Sequence, residues 1–193
     1  GLDSLKKTLV YAPTFYPSSI ERFPKKFPED LKDFNIMIKP HYFSLSQEKY
    51  KKQRQLLEYW SEYDNVYLAK VTDYSLVPFM ATADLLMSDA SSAIIEFAAL
   101  DKPVIWCNFL QLRWNYRGIF SYRFKNRMDK DYNEYSKIAV QSDSYEALID
   151  NIKEQILNPT AFSKKRLQYA NKLAGSLDGK ASQRIIDYLL ENK

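Results

Sequence analysis

The fold is decided by residues 85–100, Leu-Leu-Met-Ser-Asp-Ala-Ser-Ser-Ala-Ile-Ile-Glu-Phe-Ala-Ala-Leu. The first three residues, Leu85 to Met87, are apolar and predict a short buried strand. Ala93 to Leu100 is rich in helix formers and has no breaker, so it predicts a short buried helix. A buried strand that passes through a few small residues into a helix is typical of α/β proteins.

Further strands and helices are predicted on both sides of this stretch. The strands are Thr8–Ala12, Asn35–Lys39, Asn65–Ala69, Pro103–Cys107 and Ile138–Val140. The helices are Gln47–Tyr63 with Ser46 as its N-cap, a helix from Asp73 or Ser75 to about Ala83, Tyr145–Leu157, Pro159–Leu173 and Ala181–Leu190. Between Pro17 and Pro28, three prolines among basic residues predict an irregular, solvated loop. Because strands alternate with helices at spacings too long for hairpins, the predicted fold class is α/β, a Rossmann-like three-layer parallel sheet with helices on both faces.

Length and composition narrow the class of protein. A chain of 193 residues with 46% hydrophobic residues fits one folded domain. Its 28 basic and 24 acidic residues give a net charge of +4, too small for a dedicated nucleic-acid-binding protein. With Cys107 as its one cysteine and His41 as its one histidine, the sequence cannot form an internal disulfide and predicts no zinc site. It shows neither a signal peptide nor a membrane-length apolar run, and because it opens on Gly1 we expect it to be part of a longer protein.

The loop Ser88-Asp-Ala-Ser-Ser92 is the strongest candidate for a ligand site. In open α/β sheets, ligands bind beyond the carboxyl ends of the strands, where this loop is predicted to lie. Small residues, hydroxyl donors and the unpaired N–H groups of the following helix can together bind a phosphate. The simpler alternative is that Ser91 or Ser92 is only the helix N-cap.

Two titratable residues belong to the same predicted edge of the sheet. Glu96 lies about one turn into the helix among apolar residues, where an unpaired carboxylate would carry a desolvation cost. A ribose diol, a local salt bridge or a solvated position would each account for it. His41 follows the second strand, where an imidazole can donate to a phosphate or act as an acid or base near neutral pH. The alternative is a surface histidine without a role.

Other motifs are weak or missing. Asp178-Gly-Lys180 precedes the last predicted helix and forms either an ordinary turn or a second phosphate contact. The sequence contains no Gly-x-Gly-x-x-Gly, no P-loop and no Gly-x-Ser-x-Gly motif. Dinucleotide oxidoreductases, P-loop enzymes and α/β-hydrolases are therefore disfavoured.

Taken in order, several short motifs resemble the CDP-glycerol glycerophosphotransferase family, the teichoic-acid primases and polymerases. They are Tyr11-Ala-Pro-Thr-Phe15, Lys39-Pro-His41, Asp73-Tyr74, Ala83 to Ser92, Glu96 to Ile105, and Asp178-Gly-Lys-Ala-Ser182 with Arg184. The resemblance extends from about Leu9 to the last helix. Two positions depart from the family pattern, because Ala90 stands where an aromatic residue is usual and Tyr42 where proline is common. These departures leave the donor open between CDP-glycerol, another CDP-linked polyol and a UDP-sugar.

The resemblance implies one lobe of a GT-B fold, in which two Rossmann-like domains face each other across a cleft. Residues 1–193 would form the carboxyl-terminal, donor-nucleotide-binding domain, without the amino-terminal acceptor lobe that contributes a second histidine as base in the family. His41 would then be the catalytic residue at the donor phosphates. The remaining implied donor-binding residues are Ser91 and Ser92 at the diphosphate, Glu96 at the ribose, and Asp89, Asp178, Gly179 and Lys180. No cofactor and no metal is implied.

The implied function is transfer of glycerophosphate or a similar polyol phosphate from a nucleotide-diphosphate donor to an acceptor hydroxyl during cell-surface polymer synthesis. We expect the isolated lobe to be inactive. Its partners would be the donor, a polyol, sugar-polymer or lipid-linked acceptor and the missing lobe, but no nucleic acid. The expected location is the cytoplasm, peripheral on the cytoplasmic face of the cell membrane.

Two alternatives stay open. The first is another enzyme on the same scaffold, either a nucleotide-sugar glycosyltransferase or a UDP-GlcNAc 2-epimerase-like domain, although the epimerase pattern has glycines where Ser91 and Ser92 stand. The second is a non-catalytic module that docks on an anionic membrane or polymer through the aromatic and basic segment 109–135.

Overall fold

The computed structural model describes residues 1–116, 118–127, 134 and 136–192. A six-stranded sheet runs through these residues in the order β3-β2-β1-β4-β5-β6. The strands are β1 Thr8–Ala12, β2 Asn35–Ile38, β3 Val66–Leu68, β4 Leu85–Ser88, β5 Val104–Cys107 and β6 Val140–Ser142. Each strand is parallel to its neighbours. The predicted Rossmann-like parallel sheet is confirmed.

Helices connect these strands. They are α1 Phe27–Asp30, α2 Tyr42–Ser46, α3 Lys51–Trp60, α4 Val77–Thr82, α5 Ala93–Ala98, α6 Ser121–Arg127, α7 Tyr145–Leu157, α8 Ser163–Ala174 and α9 Ala181–Glu191. Short 3-10 turns lie at Ile20–Arg22, Glu48–Tyr50, Trp114–Tyr116 and Gly118–Phe120. Across the part of the chain that the structure describes, no helix is both long and apolar enough to cross a membrane.

The four central strands, β1, β2, β4 and β5, are buried along their whole length. Coverage of both faces explains why their sequences are largely apolar. Alternate residues of a strand point to opposite sides. In β1, Val10 belongs to the apolar layer that α4, α5 and α8 complete, while Leu9 and Tyr11 belong to the layer that α1, α3 and α7 complete. The predicted three-layer arrangement is therefore present.

The segment between Pro17 and Pro28 differs from its prediction as a solvated loop. Ile20, Phe23 and Phe27 are buried beneath the sheet, and the ring of Phe23 stacks on Tyr11 with 4.7 Å between centroids. Prolines and lysines separate these apolar residues in the sequence, so no helical or strand period reveals them. The segment contributes core side chains as well as surface.

The helix prediction after β2 is also corrected. Ser46 is the last residue of α2 and not the N-cap of a helix over Gln47–Tyr63, because a 3-10 turn intervenes before α3. The last strand begins two residues later than expected, at Val140. Part of the aromatic and basic segment 109–135, namely Arg117, residues 128–133 and Tyr135, lies outside the described residues.

Candidate functional site

A cavity of about 510 Å³ opens at the carboxyl edge of the sheet. The strand order reverses here, since the chain passes from β1 outward to β2 and β3 and then returns to β4 on the other side of β1. Ligands of open α/β sheets bind at such a reversal point. The lining residues follow four neighbouring strands: Ala12, Pro13, Thr14, Lys39, Pro40, His41, Tyr42, Leu45, Lys70, Val71, Asp73, Tyr74, Leu76 and Ser91.

Asp89 fixes the loop that follows β1. Its buried carboxylate accepts hydrogen bonds from the backbone N–H and hydroxyl of Thr14, both at 2.8 Å, and from the N–H and hydroxyl of Ser19, at 2.9 and 3.0 Å. Burial raises the pKa of Asp89, and the four donors act in the opposite direction. Because both carboxylate oxygens accept hydrogen bonds inside the protein, Asp89 positions the loop after β1. A direct contact of Asp89 with the donor stays a prediction.

Tyr11 extends this buried network. Its hydroxyl lies 2.8 Å from the Ser19 hydroxyl, which itself donates to Asp89. Tyr11 is therefore the donor in this pair, and burial raises its pKa well above the usual value. The phenol stays protonated and completes the hydrogen bonding of the loop.

His41 is the N-cap of α2. The backbone at His41 is extended, and the ring Nδ1 accepts a hydrogen bond of 3.1 Å from the N–H of Phe43. The imidazole packs against the rings of Phe15 and Phe43, at centroid distances of 4.5 and 4.9 Å. Because Nδ1 is an acceptor, the neutral ring carries its proton on Nε2. His41 lines the cavity and has its ring N–H donor on Nε2.

The surroundings of His41 favour the neutral imidazole. Partial burial lowers its pKa, and the positive charge of Lys39 lowers it further. Burial also lowers the pKa of Lys39, against the opposing effect of Asp73. Protonation of His41 on Nδ1 would in addition remove the cap of α2. The ring is therefore arranged to donate a hydrogen bond and not to accept a proton.

Ser91 reaches the cavity, whereas Ser92 and Glu96 lie outside its lining. The Ser91 hydroxyl accepts a hydrogen bond from the N–H of Ala93 at 3.2 Å, which leaves its own proton available to a ligand. Ser92 donates to Glu96 at 3.1 Å, and both side chains are exposed. Of the alternatives open for Glu96, the structure has the solvated position, because its apolar neighbours face the opposite side of α5. Ligand contacts of Ser92 and Glu96 stay predictions.

Asp178, Gly179 and Lys180 form an exposed turn between α8 and α9. Asp178 accepts from the N–H of Lys180 at 3.0 Å and, with each of its two oxygens, from Arg184 Nη1 at 2.8 Å. The Arg184 guanidinium holds the pKa of Asp178 below its usual value. Gly179 has a φ of +72°, which glycine adopts readily. This geometry favours the ordinary turn, and a donor contact of the three residues stays a prediction.

The loop after β3 is one of the strand-end loops where the predicted fold allows a ligand to bind, but none of its residues is among the predicted site residues. Asp73 closes this loop by accepting hydrogen bonds from the N–H of Lys70 at 2.8 Å and the Tyr67 hydroxyl at 3.3 Å. The loop contributes a third of the cavity lining, including Tyr74, which is largely exposed. Its position after a parallel strand is the signal that identifies the loop, and no local motif singles out its lining residues. A search of the described residues finds no group of three or more His, Cys, Asp and Glu side chains that could hold a metal ion.

The sheet order and the cavity at its reversal point define the class of this protein as a Rossmann-like α/β lobe with a cavity at the carboxyl ends of its strands. The chain belongs to the family described as CDP-Glycerol:Poly(glycerophosphate) glycerophosphotransferase, whose sequence model matches residues 1–191. The predicted family is confirmed.

Curated relatives share moderate sequence identity with the chain. It is 33% identical over 114 residues to the teichoic acid glycerol-phosphate primase of Bacillus spizizenii, a match that covers 56% of this chain and 27% of that protein. The primase of the same name from Bacillus subtilis is 26% identical over 175 residues, covering 79% of this chain and 43% of that protein. The chain thus spans less than half the length of these relatives.

Solved structures share the fold. The wall teichoic acid polymerase TagF, in a crystal soaked with CDPG, superposes with a TM-score of 0.61 at 21% identity, over 99% of this chain and 42% of that chain. The UDP-GlcNAc 2-epimerase from Neisseria meningitidis, bound to UDP-GlcNAc, gives a TM-score of 0.57 at 17% identity, over 98% of this chain and 45% of that chain. The predicted GT-B lobe is confirmed at the level of the fold.

Proposed function

We propose that this chain is the donor-binding lobe of a glycerophosphotransferase in teichoic-acid-type polymer synthesis. The observation that carries the proposal is the cavity at the reversal of the strand order, which both His41 and Ser91 line. Family membership and the CDPG used with TagF favour CDP-glycerol, or a similar CDP-linked polyol, as that ligand.

The proposed chemistry is attack of an acceptor hydroxyl oxygen on the β-phosphorus of the donor. A new phosphorus–oxygen bond forms, the bond to the bridging oxygen breaks, and CMP leaves with that electron pair. Negative charge grows on the leaving phosphate, so fixed N–H and O–H donors accelerate the step. His41 would supply its Nε2–H and Ser91 its hydroxyl. Because Nδ1 of His41 is held by Phe43, the proton of the acceptor hydroxyl must pass to another base.

The rest of the predicted site belongs to the same proposal. Glu96 would accept hydrogen bonds from the ribose, and Ser92 would orient Glu96 through the hydrogen bond between them. Asp178, Gly179 and Lys180 would approach the phosphates after a change in the α8–α9 turn. A polyol, sugar-polymer or lipid-linked acceptor, a second lobe and a place on the cytoplasmic face of the membrane are further parts of the proposal.

Isothermal titration calorimetry of the chain with CDP-glycerol, CDP, UDP and UDP-GlcNAc tests this function. We expect saturable binding of CDP-glycerol and CDP. Selective binding of UDP-GlcNAc would instead favour the epimerase-like or glycosyltransferase alternative. Absence of binding by any of the four at millimolar concentration would contradict the proposed donor site.

Docking on an anionic membrane or polymer is a second candidate role. It is favoured by the exposure of Trp114, Ile119 and Tyr122 next to Arg113 and Arg123 in the sequence. Exposed aromatic and basic side chains suit an anionic interface. Co-sedimentation with vesicles that contain phosphatidylglycerol, lost at high salt, would support this role, and no co-sedimentation at low salt would remove it.

A further inference from the structure

Lys39 lies at the centre of the carboxyl edge. It follows β2 directly, and its backbone N–H donates to the Tyr11 carbonyl at 2.9 Å, which fixes its place beside β1. Lys39 and His41 both line the cavity. Lys39 is half-buried, whereas Lys70, the other lysine of the lining, is exposed.

The Lys39 ammonium has no counter-charge in direct contact. Within the described residues, no carboxylate lies at ion-pair distance from its Nζ, and no hydrogen bond to that atom is formed. Asp73 interacts with it only at longer range. Partial burial of a cation without a partner costs free energy, and such a group in a cavity is typical of a binding site.

Lys39 and His41 are also close enough to influence each other, because the charge of Lys39 lowers the pKa of the imidazole. The cavity therefore brings together an ammonium with three donors, a ring N–H and the Ser91 hydroxyl. A donor set of this kind, with one fixed positive charge, suits a ligand with several anionic oxygens.

We infer that Lys39 binds the diphosphate of the ligand and supplies the positive charge that the proposed leaving group requires. The inference deepens the proposed function and rests on it for the identity of the nucleotide. Half-burial makes Lys39 a stronger partner than the exposed Lys70, because less water screens the interaction. The role is one of binding and charge neutralisation, with no covalent step.

Binding of inorganic diphosphate, CDP and cytidine to three forms of the chain tests the inference. The forms are the unmodified chain, Lys39→Gln and Lys52→Gln, where Lys52 is an exposed lysine on α3 outside the cavity lining. We expect Lys39→Gln to weaken diphosphate and CDP by about tenfold or more, since charge-assisted hydrogen bonds are the strong class. The affinity of Lys39→Gln for cytidine should equal that of the unmodified chain. The Lys52→Gln variant should bind all three ligands with unchanged affinity. The Lys39→Arg variant should recover most of the affinity for diphosphate and CDP.

Acylation of lysines in the unmodified chain gives a second measurement that does not depend on a variant. Inorganic diphosphate should slow the labelling of Lys39 by an N-hydroxysuccinimide ester, followed by peptide mass spectrometry, and should leave Lys52 unaffected. Equal labelling with and without diphosphate would overturn the inference. Unchanged affinity of Lys39→Gln for diphosphate would also overturn it, as would a loss of affinity in this variant that is equal for CDP and cytidine.

The two proposals fail in different ways. If inorganic diphosphate binds through Lys39 and CDP binds no more tightly than inorganic diphosphate, the nucleotide function fails and the inference about Lys39 stands. If CDP and cytidine bind the unmodified chain and Lys39→Gln equally well, the nucleotide function stands and the inference is overturned.

Discussion

At the scale of single residues, His41 uses its two ring nitrogens for different purposes. Nδ1 accepts a hydrogen bond from the N–H of Phe43 and caps α2, which leaves the proton of the neutral ring on Nε2. The helix cap thereby selects the tautomer that can donate to a phosphate. We therefore expect that one substitution of His41 can remove the cap of α2 and keep a hydrogen-bond donor for the ligand, and that another can do the reverse.

The ring signals of His41 provide the first prediction, because the chain has no second histidine. Nitrogen-15 NMR should show an unprotonated Nδ1 at neutral pH and a pKa below the ordinary value of 6.5. Lys39→Gln should raise that pKa toward 6.5 by removing a positive charge. A neutral ring protonated on Nδ1 would contradict the assigned tautomer.

The lowered pKa of His41 makes the stability of the folded chain depend on pH. Since folding lowers the pKa of His41, the folded chain binds fewer protons at this site than the unfolded chain. The contribution of His41 to stability should be complete above pH 6.5 and should decline as the pH falls through the folded pKa. Urea denaturation of the unmodified chain and His41→Gln across this range would measure the difference, and parallel pH profiles would contradict it.

Two substitutions of His41 form the second prediction. Asn keeps an acceptor near the position of Nδ1, and Gln keeps a donor near the position of Nε2. We expect His41→Asn to retain stability but lose about tenfold in CDP affinity, and His41→Gln to retain most of that affinity but lose about 1 kcal/mol of stability with the cap. The reverse pattern, measured by calorimetry and urea denaturation, would contradict the assigned roles.

Sequence reasoning located His41 and Ser91 at the cavity because each follows a parallel strand, and the rule for such sheets needs no side-chain detail. Sequence reasoning could not predict which of the carboxylates of Asp89 and Glu96 is buried and which is exposed. Both carboxylates lie near the same loop, yet one is buried under four donors and the other is exposed. That difference depends on tertiary packing, which a local pattern does not contain.

At the scale of elements, the loop after β1 depends on Asp89. This residue is the acceptor for Thr14, which lines the cavity, and for Ser19, which does not. The cavity wall and the buried network of Tyr11 are thus tied to one carboxylate.

Asp89→Asn is the third prediction. The amide keeps the size of the side chain but replaces one acceptor oxygen by a donor that faces other donors. We expect a loss of about 2–3 kcal/mol in the free energy of unfolding and weaker CDP binding. Ser92→Ala, which changes an exposed side chain of the neighbouring loop, is the control and should stay within about 0.5 kcal/mol of the unmodified chain. Equal stability of the two variants would contradict the positioning role.

Arg166 connects the start of helix α8 to the turn that follows α5. Its buried guanidinium donates to the Asp101 carboxylate at 3.1 and 3.0 Å, to the Asp101 carbonyl at 3.0 Å and to the Pro159 carbonyl at 2.8 Å. Asp101 has a φ of +53°, and Ser163 also donates to its carboxylate. One arginine therefore connects the turn after α5 to the start of α8.

Arg166→Met is the fourth prediction. Removal of the guanidinium leaves two carbonyls and a partly buried carboxylate without this donor, so we expect a loss of about 3 kcal/mol of stability in urea denaturation. Lys164→Met, on the exposed side of the same helix, should change stability by no more than about 0.5 kcal/mol. A similar small effect for both substitutions would contradict the attachment through Arg166.

The elements differ in how well the sequence predicts them. The central strands are short apolar runs because both faces of the sheet are covered, and α7 matches its predicted bounds, with a serine cap at Ser144. The division between α2 and α3 was not predictable, since it depends on a cap formed by a histidine and on a buried contact of Gln53 with Ser44. The buried aromatic residues between Pro17 and Pro28 have no period that a local rule could recognise.

At the scale of the whole molecule, the order of the strands determines where the cavity lies. The reversal of strand order between β1 and β4 places the loops of four strands around a single cavity. The histidine donor, the serine hydroxyl and the half-buried lysine come from different loops, and only the fold brings them together. The chain spans less than half the length of its curated relatives, so the donor site is the part of the proposed reaction that this chain can test alone.

Mapping of CDP-glycerol on the isotope-labelled chain by NMR tests the central claim most directly. We predict saturable shifts of the amide signals of Thr14, Lys39 and Ser91 and of the His41 ring, with little change on α9, which contributes nothing to the cavity lining. His41→Asn should reduce the affinity measured from the same signals. Shifts confined to surfaces away from the carboxyl edge of the sheet, or none at millimolar CDP-glycerol, would contradict the claim that this cavity binds the nucleotide donor.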